Sequence, residues 1–365
     1  MRVLLNVTAR ELAFVGGDQS YYRTLAAVAQ DQHFGRGFEA HALTHSSATW
    51  RHRVRLLEAV SRRVPLRGLK RTLFAESRRI PVARRDIEAT QADLVFSTIL
   101  VARVPRLCRV ANVFYSQGIN EPEYYAYMGG YTVEDVAAYY RRIAPHVTLM
   151  VVGTRDGLDR LQALCPDLPC KTLYVPQVVL LNPIAEPIPA APDEPVKFLF
   201  VGRDYVRKGL PEVLDAMRGL AEAVELHIVT MPDCPLQQNA PPFYWYSNLS
   251  DNDLHDLYRR CHVLVVPTHA DTYNLVLVEA MAFGCAIVTS DLRPMGEIVP
   301  DGTAGMCVPR GDRAALVAAL QRLVADRAYL AQMRAGALQH YKAQYAPARV
   351  IPQLFNAFNT ALAMI

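Results

Sequence analysis

No apolar run in the chain approaches the roughly 18 residues of a membrane span. The start, MRVLLNV, passes from one Arg into a short apolar stretch, without the long apolar centre or small-residue cleavage site of a secretory leader. A cytoplasmic protein is expected. Cysteine is sparse: 7 residues (Cys108, Cys165, Cys170, Cys234, Cys261, Cys285 and Cys307), odd in number and scattered. That argues against a disulfide framework, and the one close pair, Cys165 and Cys170, has no second pair or nearby His to complete a zinc set. All seven are read as reduced and structural, and no metal site is expected. No low-complexity tract interrupts the chain, and no recognised nucleic-acid motif accompanies its basic residues.

What remains is an ordinary globular composition, 51% hydrophobic and 20% charged. At 365 residues the chain exceeds what one hydrophobic core usually supports, so two domains are expected. The net charge of +4 is unevenly spread, with a basic concentration between Arg51 and Arg85 opposed only by Glu58 and Glu76. Interleaved Leu, Val and Phe make this segment either a solvated helical face or a surface for anionic lipid or an anionic acceptor. A peripheral association with the inner face of a membrane is one expectation that follows.

Short β-branched runs alternate with longer helical patterns, which predicts an α/β chain with parallel sheets and crossover helices. RVLLNV, FEAHALT, ADLVFST, RVANVFYS, VTLMVVG and KTLYVP are the strand candidates of a first half. VKFLFVG, VELHIVT, FYWYSNL, HVLVVPT, CAIVTSD and AGMCVP follow in a second, with helices expected at Leu210–Ala223, Asp251–Arg260, Leu275–Phe283 and Arg313–Leu323. Between the halves, NPIAEPIPAAPDEP carries five prolines and little to pack, so it reads as a linker. The expected organisation is a first Rossmann-like domain over 1–182, a linker over 183–195, a second Rossmann-like domain over 196–343, and a terminal segment, 344–365, returning to the first domain. Ligands in such folds bind beyond the carboxyl ends of the strands, here in a cleft expected between the two sheets.

Three segments point to phosphate. In FVGRDYVRKG a strand ends at Gly202, and Arg203 and Lys208 follow before a helix: a planar fork and a point charge for phosphate oxygens. In HADTYNLVLVEAMAFGCAIV a helix beginning near Asn274 offers the free amides of Asn274, Leu275 and Val276 to an anion. Glu279 lies a little over one turn further, roughly 7 Å along the axis, within a run that is otherwise apolar. A carboxylate placed there needs a polar partner. The third segment is FVGGDQSYYRTL, where Gly16 and Gly17 allow close backbone approach to a ligand.

Together VGRDYVRKG, DTYNLVLVEAMAFGCAIVTSD and EIVPDGTAGMCVPRGD resemble the nucleotide-sugar-binding half of family 4 glycosyltransferases, retaining enzymes of the GT-B fold. The resemblance is strong from Val196 to about Leu323; in the first half it rests on the Gly16-Gly17 loop, VTLMVVGTRDGLDRL and LYVPQVVL. It implies two doubly wound domains facing each other across a cleft. It implies donor contacts at Gly202, Tyr273, Asn274, Leu275 and Val276, Arg203 and Lys208 on the donor pyrophosphate, and Glu279 on the ribose hydroxyls. Asp271 stands where the family has a Glu that contacts the transferred sugar, Asn274 where it has a Gly, and Gln117 where many relatives have a His. The resemblance further implies retaining transfer without a metal or other cofactor, from a UDP- or GDP-linked sugar to a glycan or lipid-linked acceptor. The departures leave open a silent nucleotide-sugar-binding protein and a GT-B epimerase.

Overall fold

A computed structural model describes residues 1–8, 17–31, 38–43, 79–81, 84–98, 101–103, 109–129, 132–189, 194–220, 224–239 and 243–365. Gly16 and most of the basic segment, 51–78 together with 82–83, lie outside the described residues, as does Cys108. The chain divides into two units. The first comprises Met1–Ile119, Thr132–Leu180 and Val350–Ile365, and the second Asn120–Tyr131 and Leu181–Arg349.

Among the described residues, the first unit holds a parallel sheet of β1 (Arg2–Thr8), β2 (Glu39–Leu43), β3 (Leu94–Ser97), β4 (Ala111–Ser116), β5 (Leu149–Val152) and β6 (Lys171–Tyr174), in the order β2-β1-β3-β4-β5-β6. Its strands are continuous apolar runs, as parallel strands covered on both faces require. Helix α1 (Gly17–Gln30) follows β1, so Gly17 opens a helix. The last helix of the chain, Pro347–Leu362, presents Val350, Ile351, Leu354, Ala357, Phe358 and Ala361 at helical spacing. That stripe packs into the same core as Val3, Leu5, Leu94 and Phe96, with the Phe96 and Phe358 rings edge to face at 5.6 Å.

The second unit holds β7 (Val196–Val201), β8 (Val224–Val229), β9 (Tyr244–Tyr246), β10 (Val263–Val266), β11 (Ala286–Ser290) and β12 (Gly305–Val308), all parallel, in the order β9-β8-β7-β10-β11-β12. The strand order reverses between β7 and β10, and the loops leaving their carboxyl ends diverge there to leave a crevice. The phosphate-directed motifs FVGRDYVRKG and HADTYNLVLVE are the two loops at that point.

The Pro-rich segment runs along the second unit. Three cations of one long helix, Arg327–Gln344, donate to its carbonyls: Arg327 Nη2 to Glu194 O at 2.7 Å, Arg334 Nη1 to Ile188 O, and Lys342 Nζ to Ala185 O at 2.7 Å. Arg334, only 2% exposed, also donates from Nε to Gly284 O at 2.9 Å. Gly284 has φ +69°, and a Cβ there would lie 3.1 Å from both Ile184 and Pro187. Gly311, at φ +76°, has open space where its Cβ would be. Gly311→Ala is therefore expected to cost about 1 kcal/mol, the left-handed backbone alone, and Gly284→Ala about 2–4 kcal/mol, because the Pro-rich segment must shift as well. Urea unfolding of the two variants checks this; equal losses would mean that the segment yields freely.

Candidate active site

Lys208 is the centre of the crevice between β7 and β10. Its Nζ lies 2.5 Å from Asp271 Oδ2 and donates to Asn274 Oδ1 at 2.6 Å. The side chains are 12% exposed for Lys208 and 11% for Asp271, so the pair is held largely out of water. The Lys208 stem passes over Gly202, where a Cβ would be 2.8 Å from Lys208 Cγ. Any larger residue at 202 would displace the ammonium.

Asn274 precedes the helix Leu275–Ala282 and is 1% exposed. Its side chain makes no capping bond and accepts from Lys208 instead, so the first amides of this helix have no side-chain acceptor. An ammonium and an uncapped helix start lie side by side, an arrangement suited to an anion.

Arg207 is a second cation at Asp271, with Nη1 3.3 Å from Asp271 Oδ2 and donating to Ala270 O at 2.6 Å. Burial works against the charge of this guanidinium, but Asp271 and Asp204 more than offset it and hold its pKa above the ordinary value. Sequence reasoning missed this residue. The signal was a third basic side chain, between Arg203 and Lys208 in the same loop. Arg203 itself is exposed and takes no part in the Lys208–Asp271–Asn274 contacts.

Thr268 fastens the loop by donating to Arg207 O at 3.1 Å, while Ser290 Oγ donates to Thr268 O at 2.6 Å. His269 Nε2 lies 2.7 Å from Glu212 Oε1, and the His269 ring stacks on Tyr127. Tyr127 belongs to Asn120–Tyr131, the short stretch of early sequence that groups with the second unit.

The partner of Glu279 is Tyr258, whose hydroxyl donates to Oε2 at 2.9 Å. Tyr258 is fully buried on the helix Asp251–Arg260, where its place in the apolar stripe with Leu257 hides it as a polar group. Burial lifts its phenol well above the ordinary value, so the hydroxyl stays protonated and donating. Burial also raises the Glu279 pKa, the Tyr258 bond offsetting part of the rise. The same helix opens on a capping box between Ser250 and Asp253, which accounts for the DND run at 251–253. Gln117 follows β4 in the first unit, half-buried, with Oε1 lacking a hydrogen bond among the described residues. Tyr273 is buried.

Residues 195–326 match the family model for glycosyl transferases group 1. The match covers 132 of the 365 residues and lies wholly within the second unit. Among curated relatives, D-inositol 3-phosphate glycosyltransferase 1 of Catenulispora acidiphila is 34% identical over 110 residues, 30% of this chain and 26% of that protein. The chain thus spans about a quarter of the curated relative it matches. Sucrose-phosphate synthase of Thermosynechococcus elongatus superposes with a TM-score of 0.73 at 16% identity, covering 100% of both chains. Anabaena Alr3699/HepE, solved in complex with UDP-glucose, gives 0.63 at 13%, covering 99% of this chain and 100% of that one. The fold is GT-B, and the family motifs fall at the strand-order reversal of the second unit.

The raised Glu279 pKa fixes the sign of a pH effect on stability. Between the ordinary glutamate value and the raised one, the folded chain binds more protons than the unfolded chain. The contribution of Glu279 to stability is therefore present at low pH and falls as pH rises through that window. Glu279→Gln removes the titration, so its stability relative to the native chain is expected to improve from about pH 4 to about pH 8. Denaturant titrations at the two pH values measure it; a pH-independent difference would mean that the carboxylate is solvated.

Proposed function

We propose that the protein is a glycosyltransferase moving a sugar from a nucleoside diphosphate, UDP- or GDP-linked, to a glycan or lipid-linked acceptor, with retention at the anomeric carbon. The observation that carries this reading is Lys208 beside the uncapped start of the helix Leu275–Ala282, with Asp271 bound to the same ammonium. In the proposed reaction the acceptor oxygen forms a bond to the anomeric carbon as the bond to the departing phosphate oxygen breaks. The acceptor's proton passes to that phosphate oxygen on the same face, so no separate base is needed. Lys208 and the helix amides balance the charge that grows on the diphosphate, with Arg203 reaching it from the loop. Positive charge for the leaving group is thus proposed to come from this chain and not from a metal.

Asp271 is proposed to meet hydroxyls of the transferred sugar and Glu279 those of the ribose, its Oε1 left available by the Tyr258 bond to Oε2. Gly16, Gly17 and Gln117 are proposed donor or acceptor contacts from the first unit. No helix among the described residues is long and apolar enough to cross a membrane. Contact of the Arg51–Arg85 segment with anionic lipid remains a proposal about residues mostly outside those described.

Lys208→Ala is expected to weaken UDP or GDP binding by about 1.5–3 kcal/mol, the worth of a charge-assisted contact in a partly closed site. Calorimetric titration measures it. Transfer is expected to proceed in EDTA with the donor's anomeric configuration kept, read from the product's anomeric proton by NMR. An inverted product would mean that a catalytic base has been missed. Tight nucleotide-sugar binding without turnover would favour the silent binder.

A further inference from the structure

Beside Asp271 the second unit contains a small notch, walled by Asn120, Glu121 and Tyr124 on one side and by His269, Asp271 and Pro294 on the other. Its volume is about 10 Å³. That is the space of one water or one hydroxyl group, too small for a sugar ring or a phosphate.

Asn120 is 4% exposed, and its Oδ1 is buried without a hydrogen-bond partner among the described residues. A buried amide oxygen left in this state is worth avoiding by about 1–3 kcal/mol. Asn120 is held in place through its backbone, whose N–H donates to the Tyr125 hydroxyl at 2.8 Å. The residue is positioned, but its side-chain oxygen is unused.

Two of the other polar walls, Asp271 and Glu121, are carboxylates and so acceptors too. Asp271 is already matched by Lys208 at 2.5 Å and Arg207 at 3.3 Å, and Glu121 lies 3.9 Å from Arg293. An entering anion would face two carboxylates, and an entering cation would find both already neutralised. A neutral group that donates a hydrogen bond fits.

We infer that this notch is a hydroxyl socket, in which Asn120 Oδ1 accepts a hydrogen bond from one hydroxyl of a substrate sugar beside Asp271 and so sets which sugars the site accepts. The inference rests on the glycosyltransferase reading above and adds to it Asn120, a specificity residue from the short stretch 120–131. The hydroxyl belongs either to the donor's sugar or to the acceptor's, since the chemistry of the two is the same. Sites built to bind a sugar hydroxyl discriminate against analogues that lack it, because the buried acceptor is then left unpaired.

The test uses the full chain and its Asn120→Ala and Asn120→Ser variants, titrated calorimetrically with UDP, UDP-glucose, GDP and GDP-mannose. A second arm uses free glucose and free mannose at saturating UDP or GDP. Expected is unchanged affinity for UDP and GDP in all three proteins. The affinity that the sugar adds to the nucleotide is expected to fall about 10-fold in Asn120→Ala and less in Asn120→Ser, which keeps a hydroxyl. A fall confined to the free monosaccharides assigns the hydroxyl to the acceptor. Sugar affinities unchanged in both arms, with nucleotide binding intact, would overturn the socket. Lower melting temperatures with unchanged sugar affinity would do the same and make the notch a place for a buried water only. Failure of every nucleotide to bind would overturn the glycosyltransferase reading, and the socket with it.

Discussion

The ammonium of Lys208, shared between Asp271 and Asn274, is the contact on which the site depends. It joins residues 63 and 66 positions apart in the chain, from the loops after β7 and β10. Those loops meet because the strand order reverses between the two strands, so the sheet topology, not local sequence, brings the charges together. The contact also changes the helix that follows. Asn274 gives its side-chain oxygen to Lys208 instead of capping, and the helix start is left without a side-chain cap. One ion pair thus fixes a cation, a carboxylate and an anion-seeking helix terminus in one place.

Much of this architecture is legible in the sequence because parallel strands are apolar on both faces and are bounded by turn residues. Each strand candidate named above overlaps one of the strands β1 to β12, and the helix Asp251–Arg260 begins where Ser250 caps it. The candidate site was suggested where a residue type has few structural uses: a Lys after a strand-Gly turn, or a Glu inside an apolar helix. It was not legible where the residues brought to the site look ordinary. Tyr258 reads as a core aromatic, and only the fold shows that its hydroxyl meets Glu279. Asn120 reads as a turn residue, and nothing local indicates that it will stand beside Asp271, 151 positions later in the chain.

The Pro-rich segment misleads for a related reason. Prolines advertise missing donors and few apolar contacts, which suggests a chain with nothing to hold it. The carbonyls of the residues between them remain strong acceptors, however, and acceptors leave no pattern in a sequence. Arg327, Arg334 and Lys342 supply the donors from one helix, and the buried Arg334 reaches Gly284 as well. A guanidinium at 2% exposure bonded to neutral carbonyls is unusual enough to raise the question of what opposes it. Burial lowers its pKa, and the carbonyl dipoles take the place of a counter-ion.

The same accounting of charge explains why the free site is stable before any ligand arrives. Two cations, Arg207 and Lys208, face Asp271, and Asp204 pairs with Arg207 as well, so two positive and two negative charges balance in the cluster. Under the proposed reading a diphosphate draws Lys208 toward itself. Asp271 does not become an unpaired buried carboxylate when that happens, because Arg207 is anchored independently through Ala270 O and Asp204 and stays with it. The cost of releasing Lys208 is then a rearrangement within a neutralised cluster instead of the several kcal/mol of stranding a charge away from water. A site with Lys208 alone would have to choose between its carboxylate and its ligand. With Arg207 in place, phosphate and sugar hydroxyls can be held at once, each by a group already oriented for it.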